Sequence, residues 1–163
     1  MLGQYMSELI TNGDFSNGTT GWSGNGTSVI SVTSEQMTVF RNAGAFADQC
    51  YQDIVTEVGV EYTFTADLIS QNNTTSIVID GNEAASWVGA PIVFTATGTT
   101  TRVSINASGN SGASSVIDNV SVPGAAASGP TIDTQPQAQS ATEGQDATFI
   151  VAATTSGGAI AYQ

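Results

Sequence analysis

Short β-type runs recur along the chain from residue 8 onward, and clusters of Gly, Asn and Ser separate them. This spacing and these turn residues are typical of an all-β sandwich. No segment shows the apolar periodicity of an amphipathic helix. The predicted strands are Glu8–Thr11, Ser28–Thr33, Gln36–Asn42, Tyr51–Thr56, Glu61–Ser70, Ser76–Ile79, Ile92–Thr97, Thr101–Asn106 and Ser115–Val122. The sequence therefore predicts an all-β fold.

Alternation of apolar and polar side chains is clearest between residues 61 and 70, where Tyr62, Phe64 and Ala66 are separated by polar residues. A strand of this kind buries one face and exposes the other. The segment Asp80–Asn82, with a central glycine, follows an apolar run. It predicts a tight turn, since Gly and Asn tolerate positive φ.

The charge balance excludes several classes of function. Among 163 residues there are 14 acidic and 2 basic side chains and no histidine, which gives a net charge of −12. Without histidine there is no Ser-His-Asp machinery, and two arginines cannot neutralise a row of phosphates or an anionic bilayer. We therefore expect no catalytic residues, no nucleic-acid partner and no membrane partner.

Two further features have simple explanations. The candidate carboxylate pairs are Asp48 with Asp53 and Glu57 with Glu61. A glycosidase needs such a pair, but a scattered acidic surface accounts for these residues without chemistry. Cys50 is the single cysteine, and we expect it to pack as a small apolar side chain.

Composition divides the chain into four parts. Residues 124–130 are small, uncharged and end in proline, as is typical of a linker. This linker separates a first module at 8–123 from a second at 131–163, and residues 1–7 form a short N-terminal arm.

Several motifs in the first module have the order found in one family of sugar-binding domains. They are Leu9–Ser16 (LITNGDFS) with Gly21-Trp22, Tyr51–Val55 (YQDIV), Gly59–Phe64 (GVEYTF) and Ile117–Val122 (IDNVSV). Residues 8–122 resemble a jelly-roll domain of the carbohydrate-binding-module type, akin to galactose-binding-like domains. The resemblance implies two antiparallel sheets with the first and last segments side by side. We expect Trp22 to lie in the core at one end of the sandwich.

The resemblance also implies a structural calcium ion where the NGDF turn meets the last strand. The matching positions are Asn12, Asp14, Ser16 and Asp118. Calcium needs several hard oxygen ligands, and Ser16 stands where the family commonly has a ligating Glu. The metal-free alternative is an Asx-type turn at Asp14, with Asp118 capping a strand end.

Sugar binding in this family uses aromatic faces that stack on sugar rings, together with amide and carboxylate groups that hydrogen-bond the hydroxyls. The candidate carbohydrate-binding residues are Trp87, Tyr51, Gln52 and Arg41. Trp87 lies in a loop-like context and is predicted to be exposed, and Gln52 is placed on a solvent-facing side of its strand.

The second module resembles the start of a bacterial or phage-type immunoglobulin-like domain. Residues 130–163 contain the segments QPQ, EGQDATF and AYQ in the expected order. Such a sandwich needs roughly 100 residues. We therefore expect either that the chain continues beyond Gln163 or that another chain completes the sheet.

Two functional hypotheses fit these features. The first is a non-enzymatic virion structural protein, such as a phage head decoration, fibre or tail component, with other virion proteins, copies of itself and surface glycans as partners. Two surface-type modules and the absence of an export signal in the first eight residues motivate it. The alternative is the glycan-binding module of a larger secreted bacterial enzyme or adhesin. Both place the chain outside the cell or on a virion surface.

Overall fold

A computed structural model describes residues 7–25, 28–42, 48–125 and 131–154. Outside these ranges lie residues 1–6 of the expected arm, residues 126–130 of the expected linker and residues 155–163 of the second module. Within them the strands are β1 Ser28–Thr33, β2 Gln36–Arg41, β3 Cys50–Val55, β4 Glu61–Gln71, β5 Thr74–Ile79, β6 Asn82–Trp87, β7 Ile92–Thr95, β8 Thr100–Ser108, β9 Ser114–Ser121, β10 Thr131–Thr134 and β11 Ala152–Thr154.

The chain divides into two units, of which the larger is Ser7–Ala125. Two antiparallel sheets form this unit, one with the strand order β1-β2-β9-β4-β7 and the other with the order β3-β8-β5-β6. Apolar residues of both sheets meet in one buried cluster between them. The unit is an all-β jelly-roll sandwich, which confirms the predicted fold class.

Alternation along the strands builds this core. The buried side chains on the inner faces include Met37, Val39, Phe64, Ile77, Ile79, Val103, Ile105 and Ile117. Trp22 is also buried, and its ring lies 5.7 Å from that of Phe15. Its predicted place in the core is confirmed. Cys50 is fully buried, and burial raises the pKa of its thiol to about 12, so it packs as an apolar side chain.

The first and last segments of the sandwich lie side by side, as the family resemblance implied. The Leu9 amide donates to the Val122 carbonyl at 3.0 Å, and the Val120 amide donates to the Gly13 carbonyl at 2.9 Å. A side chain at Gly13 would meet the Val120 carbonyl oxygen at 1.9 Å. The glycine of the NGDF turn is therefore required by the close approach of β9.

The structure differs from the predicted strands at two places. Glu8–Thr11 is not a strand but makes a single bridge, because the Glu8 carboxylate accepts the Ile10 amide at 2.9 Å and the Val122 amide at 2.8 Å. Conversely, β6 was missed, since its Ala and Ser residues have low β-propensity. The predicted turn at Asp80–Asn82 is confirmed, because it joins β5 to β6 with positive φ at Asp80 and Gly81.

Residues 131–154 belong to the second unit. There β10 and β11 form an antiparallel pair, and Phe149 and Ile150 are exposed. This pair does not confirm an immunoglobulin-like domain, which stays a prediction. No helix in the described ranges is long and apolar enough to cross a membrane.

Candidate functional site

A group of polar side chains projects from the outer face of the four-stranded sheet, where β3 and β8 pair. The register places Tyr51 opposite Ser104 and Asp53 opposite Arg102. Because the side chains of a strand alternate, these residues point away from the core residues between them. Asp48, just before β3, joins them. We call Asp48, Tyr51, Asp53 and Arg102 the Arg102 cluster, and the fully buried Ser104 contacts it through Asp48.

The guanidinium of Arg102 is the centre of this cluster. Its Nε and Nη2 donate to the two carboxylate oxygens of Asp53 at 2.7 and 2.9 Å, and its Nη1 donates to Asp48 Oδ2 at 3.1 Å. The Arg102 Cζ lies 4.1 Å from the centroid of the Tyr51 ring. The Ser104 hydroxyl donates to Asp48 Oδ1 at 2.6 Å. The planar fork of an arginine suits such a two-carboxylate arrangement.

Hydrogen bonds also hold the backbone of Arg102 in place. Its amide donates to Asp80 Oδ1 at 3.0 Å, and its carbonyl accepts the Asp80 amide at 3.1 Å. Asp80 is the first residue of the β5–β6 turn. The cluster is therefore built on a central strand whose position is fixed from both neighbouring strands.

The electrostatics follow from these contacts. The hydrogen bond from Arg102 lowers the pKa of the Asp53 carboxyl, and the carboxylates of Asp53 and Asp48 raise the pKa of Arg102. The Arg102 and Asp53 side chains keep 41% and 44% of their surface exposed. An ion pair this exposed adds little stability. Its main effect is to present carboxylate oxygens and N–H groups to solvent in a fixed geometry.

Of the four predicted carbohydrate-binding residues, only Tyr51 belongs to this cluster. Trp87 is the clearest correction, because it lies on β6 with only 5% of its surface exposed. Its Nε1 donates to the Ala90 carbonyl at 2.6 Å, and its ring meets that of Phe64 edge-on at 5.9 Å. The expected exposure of Trp87 is wrong, since the missed strand β6 carries its ring into the core. A ring so placed offers no free face to a sugar.

Gln52 and Arg41 are also buried, with exposures of 7% and 6%. The Gln52 side chain points inward from β3, where its Oε1 accepts the Thr11 amide at 2.7 Å and its Nε2 donates to the Thr11 carbonyl at 2.9 Å. Its expected solvent-facing position is therefore wrong, because the segment around Thr11 covers it. Arg41 ends β2, and its burial removes it from the accessible surface.

The predicted calcium ligands are engaged in local hydrogen bonds. The Asn12 Nδ2 donates to the Gly18 and Thr20 carbonyls at 2.8 and 3.1 Å, while its Oδ1 accepts the Asn17 amide at 3.0 Å. Asp14 Oδ1 accepts both the amide and the hydroxyl of Ser16, at 3.2 and 3.0 Å. This is the Asx-type turn of the metal-free alternative.

Asp118 is placed on a different part of this surface. It lies opposite Asp67 in the pairing of β9 with β4, and its Oδ1 accepts the Asn119 amide at 2.7 Å. The shallow groove beside Asp14 is lined by Glu8 and Asn119 and not by Asp118. Among the described residues no group of three or more acidic, Cys or His side chains is arranged to hold a metal. The calcium site at Asn12, Asp14, Ser16 and Asp118 stays a prediction.

Sequence reasoning missed Arg102 as a functional candidate and treated Asp48 and Asp53 only as a carboxylate pair. The alternation of β8 places Arg102 on its outer face, which was a usable signal. Its pairing with Asp53 depends on the register between β3 and β8, which are separated by more than 40 residues of chain. A single sequence does not specify that register.

Comparison with known proteins yields likeness to solved structures alone. No protein-family model matches the chain, and no curated protein matches it. CBM4 is similar with a TM-score of 0.42 and 15% identity, over 74% of this chain and 96% of that one. The CBM22-1 xylan-binding domain from Paenibacillus barcinonensis Xyn10C has a TM-score of 0.47 and 15% identity, over 72% and 94%. A variant of CBM29-2, a family 29 carbohydrate-binding module, has a TM-score of 0.43 and 11% identity, over 74% and 86%.

These three structures are carbohydrate-binding modules, the class that the motifs in residues 8–122 resemble. None of the three is a virion protein, and none supports the immunoglobulin-like reading of residues 130–163.

Proposed function

We propose that residues 7–125 form a non-catalytic, extracellular carbohydrate-binding module whose sugar-contacting surface is the Arg102 cluster. One observation carries the proposal. The guanidinium of Arg102, two carboxylates and the Tyr51 ring are locked together on a solvent-facing side of a sheet. Such a surface alternates hydrogen-bond donors and acceptors over a short distance.

Sugars present the complementary pattern. Neighbouring hydroxyls donate to carboxylate oxygens, while ring and hydroxyl oxygens accept from a guanidinium. The ion pairs of Arg102 with Asp53 and Asp48 already hold these groups in place before a ligand arrives. Binding therefore costs little additional side-chain entropy.

The charge of the chain selects among glycans. With a net charge of −12, the protein repels polyanions over distances near the Debye length. Arg102 is the cation of this surface, and two aspartates already neutralise it. The expected ligands are neutral glycans and not polymers of uronic acids or sulfated sugars.

The same contacts argue against glycosidase chemistry at the cluster. A general acid of a glycosidase needs a raised pKa. Arg102 lowers the pKa of Asp53, which keeps this carboxylate ionised. The cluster is suited to binding and not to proton donation.

The test is affinity gel electrophoresis of the full chain in gels containing xylan, mannan, mixed-linkage β-glucan or polygalacturonate. We expect retardation by at least one neutral polysaccharide and none by polygalacturonate. Asp53→Asn and Tyr51→Ala should weaken that binding by about tenfold, equivalent to about 1.4 kcal/mol. Glu57→Ala, at an exposed site outside the cluster, is the matched control and should bind normally. Equal binding by all variants, with unchanged circular dichroism, would refute the assignment to this surface.

The virion role predicted from the sequence, with capsid or tail proteins and copies of the chain as partners, stays a prediction. Its test is imaging of native particles. Regular, stoichiometric density for this chain on a head or tail would support it, and absence from all particles would count against it.

A further inference from the structure

A second concave site lies at the open edge of the sandwich, away from the Arg102 cluster. There the edge strand of each sheet, β6 and β7, leaves a cleft of about 200 Å³. Pockets for drug-sized ligands measure about 300–1,000 Å³. The cleft therefore has room for one sugar-sized ring and not for several.

The floor of this edge cleft is apolar. It is formed by Ile77 and Ile79 of β5, and by Ile92 and Phe94 of β7. The Phe94 ring stacks on Tyr62, with centroids 5.6 Å apart and an angle of 23° between the planes. This stacking holds the Phe94 ring in place, so the apolar floor is formed before any ligand binds.

The rim of the cleft is polar and acidic. Asp80, Asn82 and Glu83 line it on the β5–β6 side. Asp80 is held by the Arg102 amide at 3.0 Å. Asn82 and Glu83 are exposed, and within the described residues their side chains make no hydrogen bond or ion pair. Asn82 pairs with Ile79 and shares its inner face, whereas Glu83 pairs with Val78 and lies on the outer face. Asn82 therefore offers an amide oxygen beside the apolar floor, without a protein partner among the described residues.

We propose that the edge cleft binds a single neutral sugar ring with an apolar acyl substituent, of which an N-acetylhexosamine is the simplest example. The methyl of an acetamido group matches the isoleucine and phenylalanine floor, and its N–H matches the amide oxygen of Asn82. The carboxylates of Asp80 and Glu83 disfavour an anionic ligand. The ligand class rests on the proposed function, whereas the site is separate from the Arg102 cluster.

The experiment is an amide NMR titration of the full chain with N-acetylglucosamine and, separately, with glucose. N-acetylglucosamine should shift the amides of residues 82–84 and 92–95 in a saturable manner. Glucose should shift them several-fold less at the same concentration. Absence of shifts in these segments, or equal shifts with glucose, would overturn the proposal.

Variants separate the two sites. Ala84 lines the cleft and Ala85 does not, although they are neighbours on β6. Ala84→Phe should fill the cleft and abolish the N-acetylglucosamine shifts, and Ala85→Phe should retain them. Asn82→Ala, at an exposed position, should weaken binding without affecting folding, and Glu83→Ala, on the outer face of β6, should bind normally. Asp53→Asn should leave this titration unchanged. A variant that loses only polysaccharide retardation is therefore impaired at the Arg102 cluster, and a variant that loses only the N-acetylglucosamine shifts is impaired at the edge cleft.

Discussion

Two buried glutamine side chains in this sandwich make the paired hydrogen bonds that a peptide group would make. Gln52 both donates to and accepts from the backbone of Thr11, and Gln49 does the same with Ala107, at 3.0 and 3.1 Å. A primary amide has the same donor and acceptor geometry as a peptide group, so it can extend a ladder where no strand is available. Gln52 was predicted to face solvent, but the hydrogen bonds of both side chains are satisfied inside.

Trp87 gives a test of burial at the residue scale. Trp87→Ala removes the edge-on contact with Phe64 and the hydrogen bond to Ala90. We expect the free energy of unfolding to fall by about 3–5 kcal/mol in urea denaturation. Val88→Ala is the control because Val88 is 75% exposed, and it should change stability by less than about 0.5 kcal/mol. A small effect of Trp87→Ala would mean that the indole is not in the core.

Asp53 gives a test of electrostatics at the same scale. Because Arg102 lowers the folded-state pKa of Asp53, the ionised carboxylate stabilises the folded chain above its unfolded pKa of about 4. This contribution is lost as the pH falls through the lowered, folded-state pKa. Urea denaturation should therefore show the original chain more stable than Asp53→Asn at pH 6, with the difference disappearing in strong acid. A difference that grew on acidification would contradict the assignment. The carboxyl carbon of Asp53 should also titrate below about 4 by NMR.

At the scale of elements, the β5–β6 hairpin decides the position of two functional regions. Its turn holds Arg102 through Asp80, and its second strand carries both the rim of the edge cleft and Trp87. Gly81 sits in the turn with φ of 79° and no heavy atom within 4 Å of an added Cβ. The constraint on this position is therefore backbone conformation and not space.

Two substitutions at Gly81 test that constraint. Gly81→Val should destabilise the chain by about 1–2 kcal/mol, because a β-branched residue is strained in the left-handed region, and Gly81→Asn should cost less because Asn tolerates it. The comparison is made by thermal denaturation. Equal losses for the two variants would show that a contact, and not φ, sets the requirement.

The NGDF turn is a second element whose role can be tested. Since Asp14 closes an Asx-type turn with Ser16, Asp14→Ala should cost about 0.5–1.5 kcal/mol through lost hydrogen bonding. The metal-free alternative predicts that chelation with EGTA leaves the melting temperature of the original chain unchanged. If EGTA lowers it, and does not do so in Asp14→Ala or Asp118→Ala, then calcium is bound at this turn after all.

At the scale of the whole molecule, the buried cluster that supports the sandwich lies entirely within Ser7–Ala125. The strand pairs of the larger unit are likewise closed among its own strands. This unit therefore has the core and the hydrogen-bonded ladders that an independently folding domain needs.

A chain limited to residues 7–125 should unfold in one cooperative transition. Its melting temperature should lie within about 2 °C of the corresponding transition in the full chain, a difference of less than about 1 kcal/mol. Differential scanning calorimetry of the two proteins makes the comparison. A drop of many degrees, or a broad non-cooperative transition, would show that residues outside 7–125 contribute to the stability of the sandwich.

The sequence by itself determined the all-β class, the turn at Asp80–Asn82, the core position of Trp22 and the meeting of the NGDF turn with the last strand. The all-β class and the turn depend on local alternation and turn residues, whereas the meeting of the NGDF turn with the last strand was implied by the family resemblance. Alternation was assigned the wrong way round on β3: Gln52 was predicted to face solvent, whereas the structure buries Gln52 and places its neighbour Tyr51 on the outer face.

Tertiary structure alone decided which residues meet. Arg102 joins Asp53 and Asp48 only through the register of β3 against β8. Trp87 enters the core only because β5 and β6 form a hairpin, which the weak strand-forming residues of β6 do not predict. Gln52 is covered because a segment 41 residues earlier in the chain folds over it. Local pattern fixes the face of a strand, whereas the partner across the ladder depends on the pairing of strands distant in sequence.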